Sequence, residues 1–127
     1  MTTTIVALDI ETTGLNPKSD SITEIGAIRF RGSRIDGEWH SLINPGKRIP
    51  SHITQLTGIT DAMVRDKPSI HEVLHDLVDF VGDAPVLGHN IPFDLSFLQP
   101  KGILRDNPSL DTYELAAVLL PDRKSVV

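Results

Sequence analysis

Between Ser69 and Gly82 the apolar residues Ile70, Val73, Leu74, Leu77, Val78 and Val81 fall at offsets 0, 3, 4, 7, 8 and 11. Only a helix brings such a set onto one face. A stripe of that length has to be buried, and a lone helix has nothing to bury it against. The rest of the chain supplies the missing layer. Residues 4–9, 22–30 and 35–43 are rich in β-branched and aromatic side chains, and the last two are joined across the turn RGSR. Residues 85–88, PVLG, are short and apolar enough for a buried central strand, and 109–110 end another short strand. SHITQL and TDAMV read as helical turns, with Thr60 as cap of the second, and residues 91–98 and 112–120 as further helices. The order βββαβαβα predicts an α/β fold: a mixed sheet, antiparallel through its first three strands and parallel at its centre, with flanking helices. At 127 residues, without repeats or linker-like tracts, one domain over 1–127 is expected.

Composition narrows the chemistry. Without cysteine, neither disulfides nor a thiolate metal site can form, so any metal must sit on oxygen or imidazole. The start MTTTIVALD lacks the basic end and apolar run of a signal peptide, and no stretch approaches the roughly 20 apolar residues of a membrane span. A cytoplasmic, membrane-independent protein is expected. Seventeen acids against twelve bases leave a charge of −5, which disfavours gripping nucleic acid through phosphate neutralisation alone. Bound divalent cations would remove that objection.

Two motifs compete for the chemistry. Residues 71–75, HEVLH, match the H-E-x-x-H pattern in which two imidazoles one helical turn apart hold zinc. On the helix, however, His71 and His75 flank the polar side of the stripe, and Glu72 stands three residues after Ser69, where a capping box places it. Val78 occupies the position of the glycine in the usual continuation, leaving His89 or Glu114 as a remote third ligand. Zinc hydrolysis is therefore the last of the readings.

The second candidate is VALDIETTG. Asp9 and Glu11 are one residue apart in a strand, so their side chains point to one face with Cα atoms roughly 7 Å apart. A third acid, Asp94, follows the strand exit Gly88-His89-Asn90 in the first turn of a helix, within GHNIPFDLSFL. Each piece has a structural explanation, since an acid near a helix start is favoured by the dipole and Phe93 and Phe97 are spaced as core. The combination is more telling, because strand ends are where sites assemble in α/β sheets. Three converging carboxylates repel unless cations neutralise them, and an all-oxygen donor set suits Mg²⁺ or Mn²⁺. A pair of such ions about 4 Å apart serves phosphodiester hydrolysis.

DIETTG followed by HNIPFD resembles the first two motifs of the DEDD-type 3′→5′ exonucleases, the family of the proofreading epsilon subunit of bacterial DNA polymerase III and of ribonuclease T. The similarity runs from about residue 5 to 121 and includes LTGIT at 56–60 and LDTYELA at 110–116. It implies a ribonuclease H-like fold, two Mg²⁺ or Mn²⁺ ions, and an unpaired 3′ end as substrate, with DNA put ahead of RNA. It also implies roles: Asp9 bridging both metals, Glu11 and Asp94 each helping to hold one, and Asn90 supporting the second motif. Thr12, Thr13, Gly14 and Leu15 would meet the terminal nucleotide through backbone groups and an apolar wedge. Phe93 would pack near a base, with His52 and Thr57 lining the same pocket. A polymerase or a fused helicase is the expected partner.

The family's third motif, a helix bearing a histidine and five residues later a fourth acid, has no counterpart before the sequence ends at PDRKSVV. His71 and Asp76 have that spacing but precede the second motif, so they read as solvated surface. Asp111 with Glu114 makes a second capping box, D-x-x-E, and Asp122 falls in a turn. The expectation is an exonuclease domain without its last helix, weakly active or inactive alone. A non-catalytic module of the same fold, binding a 3′ end or a protein, is the alternative.

Overall fold

The computed structural model describes residues 3–112. Five strands form one mixed sheet: β1 (Thr4–Thr12), β2 (Ile22–Arg31), β3 (Arg34–Leu42), β4 (Val86–Gly88) and β5 (Ser109–Asp111), in the order β3-β2-β1-β4-β5. The first three strands pair antiparallel as a meander, whereas β4 joins β1 and β5 joins β4 in parallel. This is the mixed α/β sheet expected from the element order. Strand β1 runs three residues further than the pattern of apolar residues suggests, because its extension pairs Ile10, Glu11 and Thr12 with Ile25, Glu24 and Ile22 of β2. Asp9 and Glu11 thus lie within the sheet.

Alternation along β1 divides the molecule. Val6, Leu8 and Ile10 are buried on one face, where Ile25 and Ala27 of β2 join them. Helix α3 (Ile70–Val81) lays its predicted stripe on this face, with Val73, Leu77 and Val81 buried in the same core. Helix α4 (Ile91–Leu98) adds Ile91, Leu95, Phe97 and Leu98. The opposite face of β1 carries Ala7, Asp9 and Glu11.

The short helices α1 (Ser51–Thr57) and α2 (Asp61–Val64) gather a smaller core of Ile49, Ile59 and Val64, packed against Leu42 and Ile53. Thr60 caps α2 as expected, its hydroxyl accepting the Met63 N–H at 3.2 Å. Leu42 pairs with Glu24, which pairs with Glu11. These three therefore share a face, and α1, carrying His52 and Thr57, stands on the acidic side of the sheet.

The H-E-x-x-H segment sits on α3 as the wheel suggests. His71, His75 and Asp76 are exposed. Glu72 Oε2 accepts the Ser69 N–H at 2.6 Å, and His75 Nε2 lies 3.2 Å from Asp79 one turn on. Glu72→Ala should cost about 1 kcal/mol in chemical denaturation, the scale of a lost cap. His75→Ala should leave bound metal unchanged in a zinc titration, and stoichiometric zinc lost on that substitution would restore the hydrolase reading. All but the first residue of the expected 112–120 helix, including Glu114, lies outside the described residues, as does Asp122.

Candidate active site

The site is made where β4 stops short of β1. The Val6 N–H donates to the Pro85 carbonyl at 2.9 Å, so the amides of alternate residues Val6, Leu8 and Ile10 face the β4 side. Strand β4 ends at Gly88, which leaves the amide of Ile10 beyond its last residue. The chain turns there through Asn90, in the left-handed conformation (φ 58°), and enters α4 with Pro92 in the first turn. That tight turn returns Asp94 to the open edge of β1. Gly88 is required at the corner, because a Cβ there would stand 3.0 Å from the Leu8 carbonyl and 2.8 Å from Ile91 Cδ1.

Asp94 is 5% exposed, and its Oδ2 has no hydrogen-bond partner. Burial is the main reason its pKa rises to about 7; the charge of Asp9 and, less, that of Glu11 add to the rise, while backbone hydrogen bonding at Ile10 opposes it. Asp9 is raised by desolvation and then by Glu24. Glu11 is raised by desolvation, then by Asp9 and Glu24. A buried carboxylate oxygen without a donor, beside two acids that also resist ionisation, is an arrangement that a positive charge would relieve. The donors are all oxygen, which fits a hard divalent cation. Among the described residues no three acidic or histidine side chains are yet grouped closely enough to hold a metal ion. The acids share one electrostatic neighbourhood, since the charge of Asp9 acts on both Glu11 and Asp94.

The turn after β1 is held by its own side chains. Thr12 Oγ1 donates to the Gly14 carbonyl at 2.6 Å, and Thr13, 1% exposed, donates to Asp20 Oδ1 at 3.1 Å. The other oxygen of Asp20 accepts the Asn16 N–H at 3.0 Å. The Asp20 carboxylate packs so closely on the turn that a Cβ at Gly14 would clash with it. Leu15 is left 83% exposed at the tip, an apolar side chain with no intramolecular use.

The other predicted residues differ in setting. Phe93 packs on the core, its ring centroid 5.1 Å from that of Phe97. Asn90 shapes the corner through its backbone, and its N–H donates to Asp111 Oδ1 at 2.9 Å. Asp111 therefore supports the second motif, a task its expected pairing with Glu114 did not suggest. The Thr57 hydroxyl donates to the Ile53 carbonyl at 2.9 Å, and His52 is exposed on α1. Beside Asp9 a hollow of about 600 Å³ opens on the acidic face, lined among others by Ala7, Gly26, Ile28, His40 and His89. Glu24 and His40 were not candidates from sequence. Glu24 faces the acids only because β2 pairs with β1 in this register, and no local motif marks it.

The sequence and the fold are similar to those of known proteins. The chain is 41% identical over 125 residues to a PolC-type DNA polymerase III of Clostridium perfringens, covering 95% of this chain and 9% of that protein. It is 38% identical over 126 residues to the DNA polymerase III subunit epsilon of Aquifex aeolicus, covering 95% of this chain and 62% of the subunit. The chain thus spans a small part of the first relative and less than two thirds of the second. Among solved structures it superposes on exonuclease X in complex with 5′ overhanging duplex DNA, with a TM-score of 0.73, 27% identity and coverage of 96% of this chain and 68% of that one. Product-bound exonuclease I shares the fold, with a TM-score of 0.79 at 20% identity over 99% of this chain and 34% of that one. The family model described as exonuclease matches residues 6–126, and the chain belongs to that exonuclease family.

Proposed function

We propose that residues 1–127 belong to a metal-dependent 3′→5′ exonuclease domain that hydrolyses phosphodiester bonds at the 3′ end of single-stranded or unpaired DNA, with weak turnover at most expected of these residues alone. The observation that carries this reading is the partnerless, buried Oδ2 of Asp94 beside Asp9 and Glu11. Asp9, Glu11 and Asp94 would hold two Mg²⁺ or Mn²⁺ ions. Bound there, the ions would supply a water of lowered pKa and charge stabilisation for the leaving oxygen.

The remaining work falls to the chain. The interlocked turn at Thr12, Thr13 and Gly14 offers backbone groups to the terminal nucleotide, and exposed Leu15 supplies an apolar surface for a base. His52 and Thr57, on the same side of the sheet, would border that position. Phe93 and Asn90 act through the corner that aims Asp94. The polymerase III relatives favour DNA as substrate and a polymerase as partner. No helix among the described residues is long and apolar enough to cross a membrane.

The test is digestion of a 5′-labelled DNA single strand by the protein. A ladder shortened from the 3′ end, faint for residues 1–127 alone, dependent on Mg²⁺ or Mn²⁺ and stopped by EDTA, is expected. Tight binding of the strand without shortening in either metal would replace the enzyme by a 3′-end-binding module.

A further inference from the structure

Glu24 stands directly opposite Glu11 on the neighbouring strand, and the residue opposite Asp9 is Gly26. Two like charges in direct cross-strand register destabilise a sheet. The core makes no use of Glu24, since it is Ile25 and Ala27 on either side of Gly26 that are buried. Gly26 has no side chain, and a Cβ there would meet nothing within 4 Å. The space over Gly26 is therefore open, with Asp9 on one side and, across β3, His40, which pairs with Gly26. His40 Nε2 lies 2.6 Å from Glu24 Oε2, a contact that fixes the carboxylate on this face. Glu24 is also a cause of the raised pKa of both Asp9 and Glu11. Independently of these three, the unpartnered Oδ2 of buried Asp94 points to a cation in the same neighbourhood.

We propose that Glu24, oriented by His40, is an outer carboxylate of the cation site, accepting hydrogen bonds from water molecules held by the ions at Asp9 and Glu11. The proposal rests on the metal-dependent reading above. Mg²⁺ and ions like it dehydrate reluctantly and keep several waters, so a carboxylate one water away contributes to their retention. In the metal-free protein the same residue is a liability, because it adds charge where charge is already crowded. The fold alone would favour a neutral residue at position 24. Glu38 lies on the same face, paired with Ile28 four residues further along β2 than Glu24, and serves as the charge-matched comparison.

The test is a Mn²⁺ titration followed by electron paramagnetic resonance, which reads free ion without reference to turnover, together with thermal unfolding in EDTA. The intact protein, Glu24→Gln, Glu38→Gln and Asp9→Asn are compared. Glu24→Gln should weaken Mn²⁺ binding about tenfold, the scale of a lost outer partner. Glu38→Gln should weaken it by less than about twofold, as expected of a screened surface charge. In EDTA, Glu24→Gln should unfold at the same or a higher temperature than the intact protein. Mn²⁺ affinity lost equally in the two glutamine variants, with Asp9→Asn still abolishing binding, would overturn the role of Glu24 alone. A lower unfolding temperature for Glu24→Gln in EDTA would do the same, since the residue would then act through the fold. Binding unaffected by Asp9→Asn would remove the metal site itself, and the proposal with it.

Discussion

Asp9→Asn should lower metal-dependent shortening of a DNA single strand by about 10²–10³ or more, the scale on which removal of one charge-stabilising group slows an enzyme. The substitution keeps the shape of the side chain and changes only its charge. Asp9 faces away from the Val6, Leu8 and Ile10 core, so the fold loses no apolar contact. It should in fact gain slightly, because the Asp9 charge is a cause of the raised pKa of both Glu11 and Asp94. The check is a time course of strand shortening beside thermal unfolding in EDTA. Activity within tenfold of the unsubstituted protein would remove Asp9 from the chemistry.

Asp94→Asn should have the largest effect on stability, and its sign depends on pH. The Asp94 carboxyl titrates near pH 7 in the folded protein against an ordinary value of 3.8. Between these two values the folded state binds more protons than the unfolded chain, so stability falls as pH rises. Above pH 7 the full penalty of an ionised, buried and partnerless carboxylate is present; below about pH 4 both states are protonated and it vanishes. In EDTA at pH 8, Asp94→Asn should therefore be more stable than the unsubstituted protein by roughly 2–4 kcal/mol, and equal to it near pH 3. Adding Mn²⁺ should narrow or reverse the gap, because only the carboxylate gains from a cation. Urea unfolding at the two pH values, with and without metal, measures all four corners. A gap that stays the same at both pH values would mean that Asp94 is not held as a strained acid.

The two variants probe opposite sides of one design. On the proposed reading the charge at Asp9 serves the cation at little cost to the fold, whereas at Asp94 the fold carries a cost that a bound cation would offset. Enzyme sites of this kind trade stability for a preorganised charge.

Much of this was legible from residue order. The stripe from Ile70 to Val81 has one solution, and the structure uses it to cover the sheet. The spacing of Asp9 and Glu11 determined that they share a face, because alternation in a strand is a property of the backbone. Ser69 and Glu72 were readable as a helix start for the same reason: a cap is a contact over three residues, and sequence separation and distance in space then nearly coincide.

What could not be read involves residues that are far apart in the chain. Glu24 faces Glu11 through a register between β1 and β2 that contains an irregularity between Glu11 and Thr12, and a slip of one residue would have turned Glu24 into the core. His40 reaches Glu24 through a second register, with its own irregularity at Arg29 and Phe30. Asp111 supports the Asn90 corner across 21 residues, although its local surroundings suggested a helix cap. The chain by itself therefore determined which elements form, which face of each is apolar and where acids could gather, since these follow from periodicity. Tertiary structure alone decided that Asp94 is buried with an oxygen unpartnered and that Glu24 joins the other acids, because burial and charge proximity depend on strands that meet only after folding.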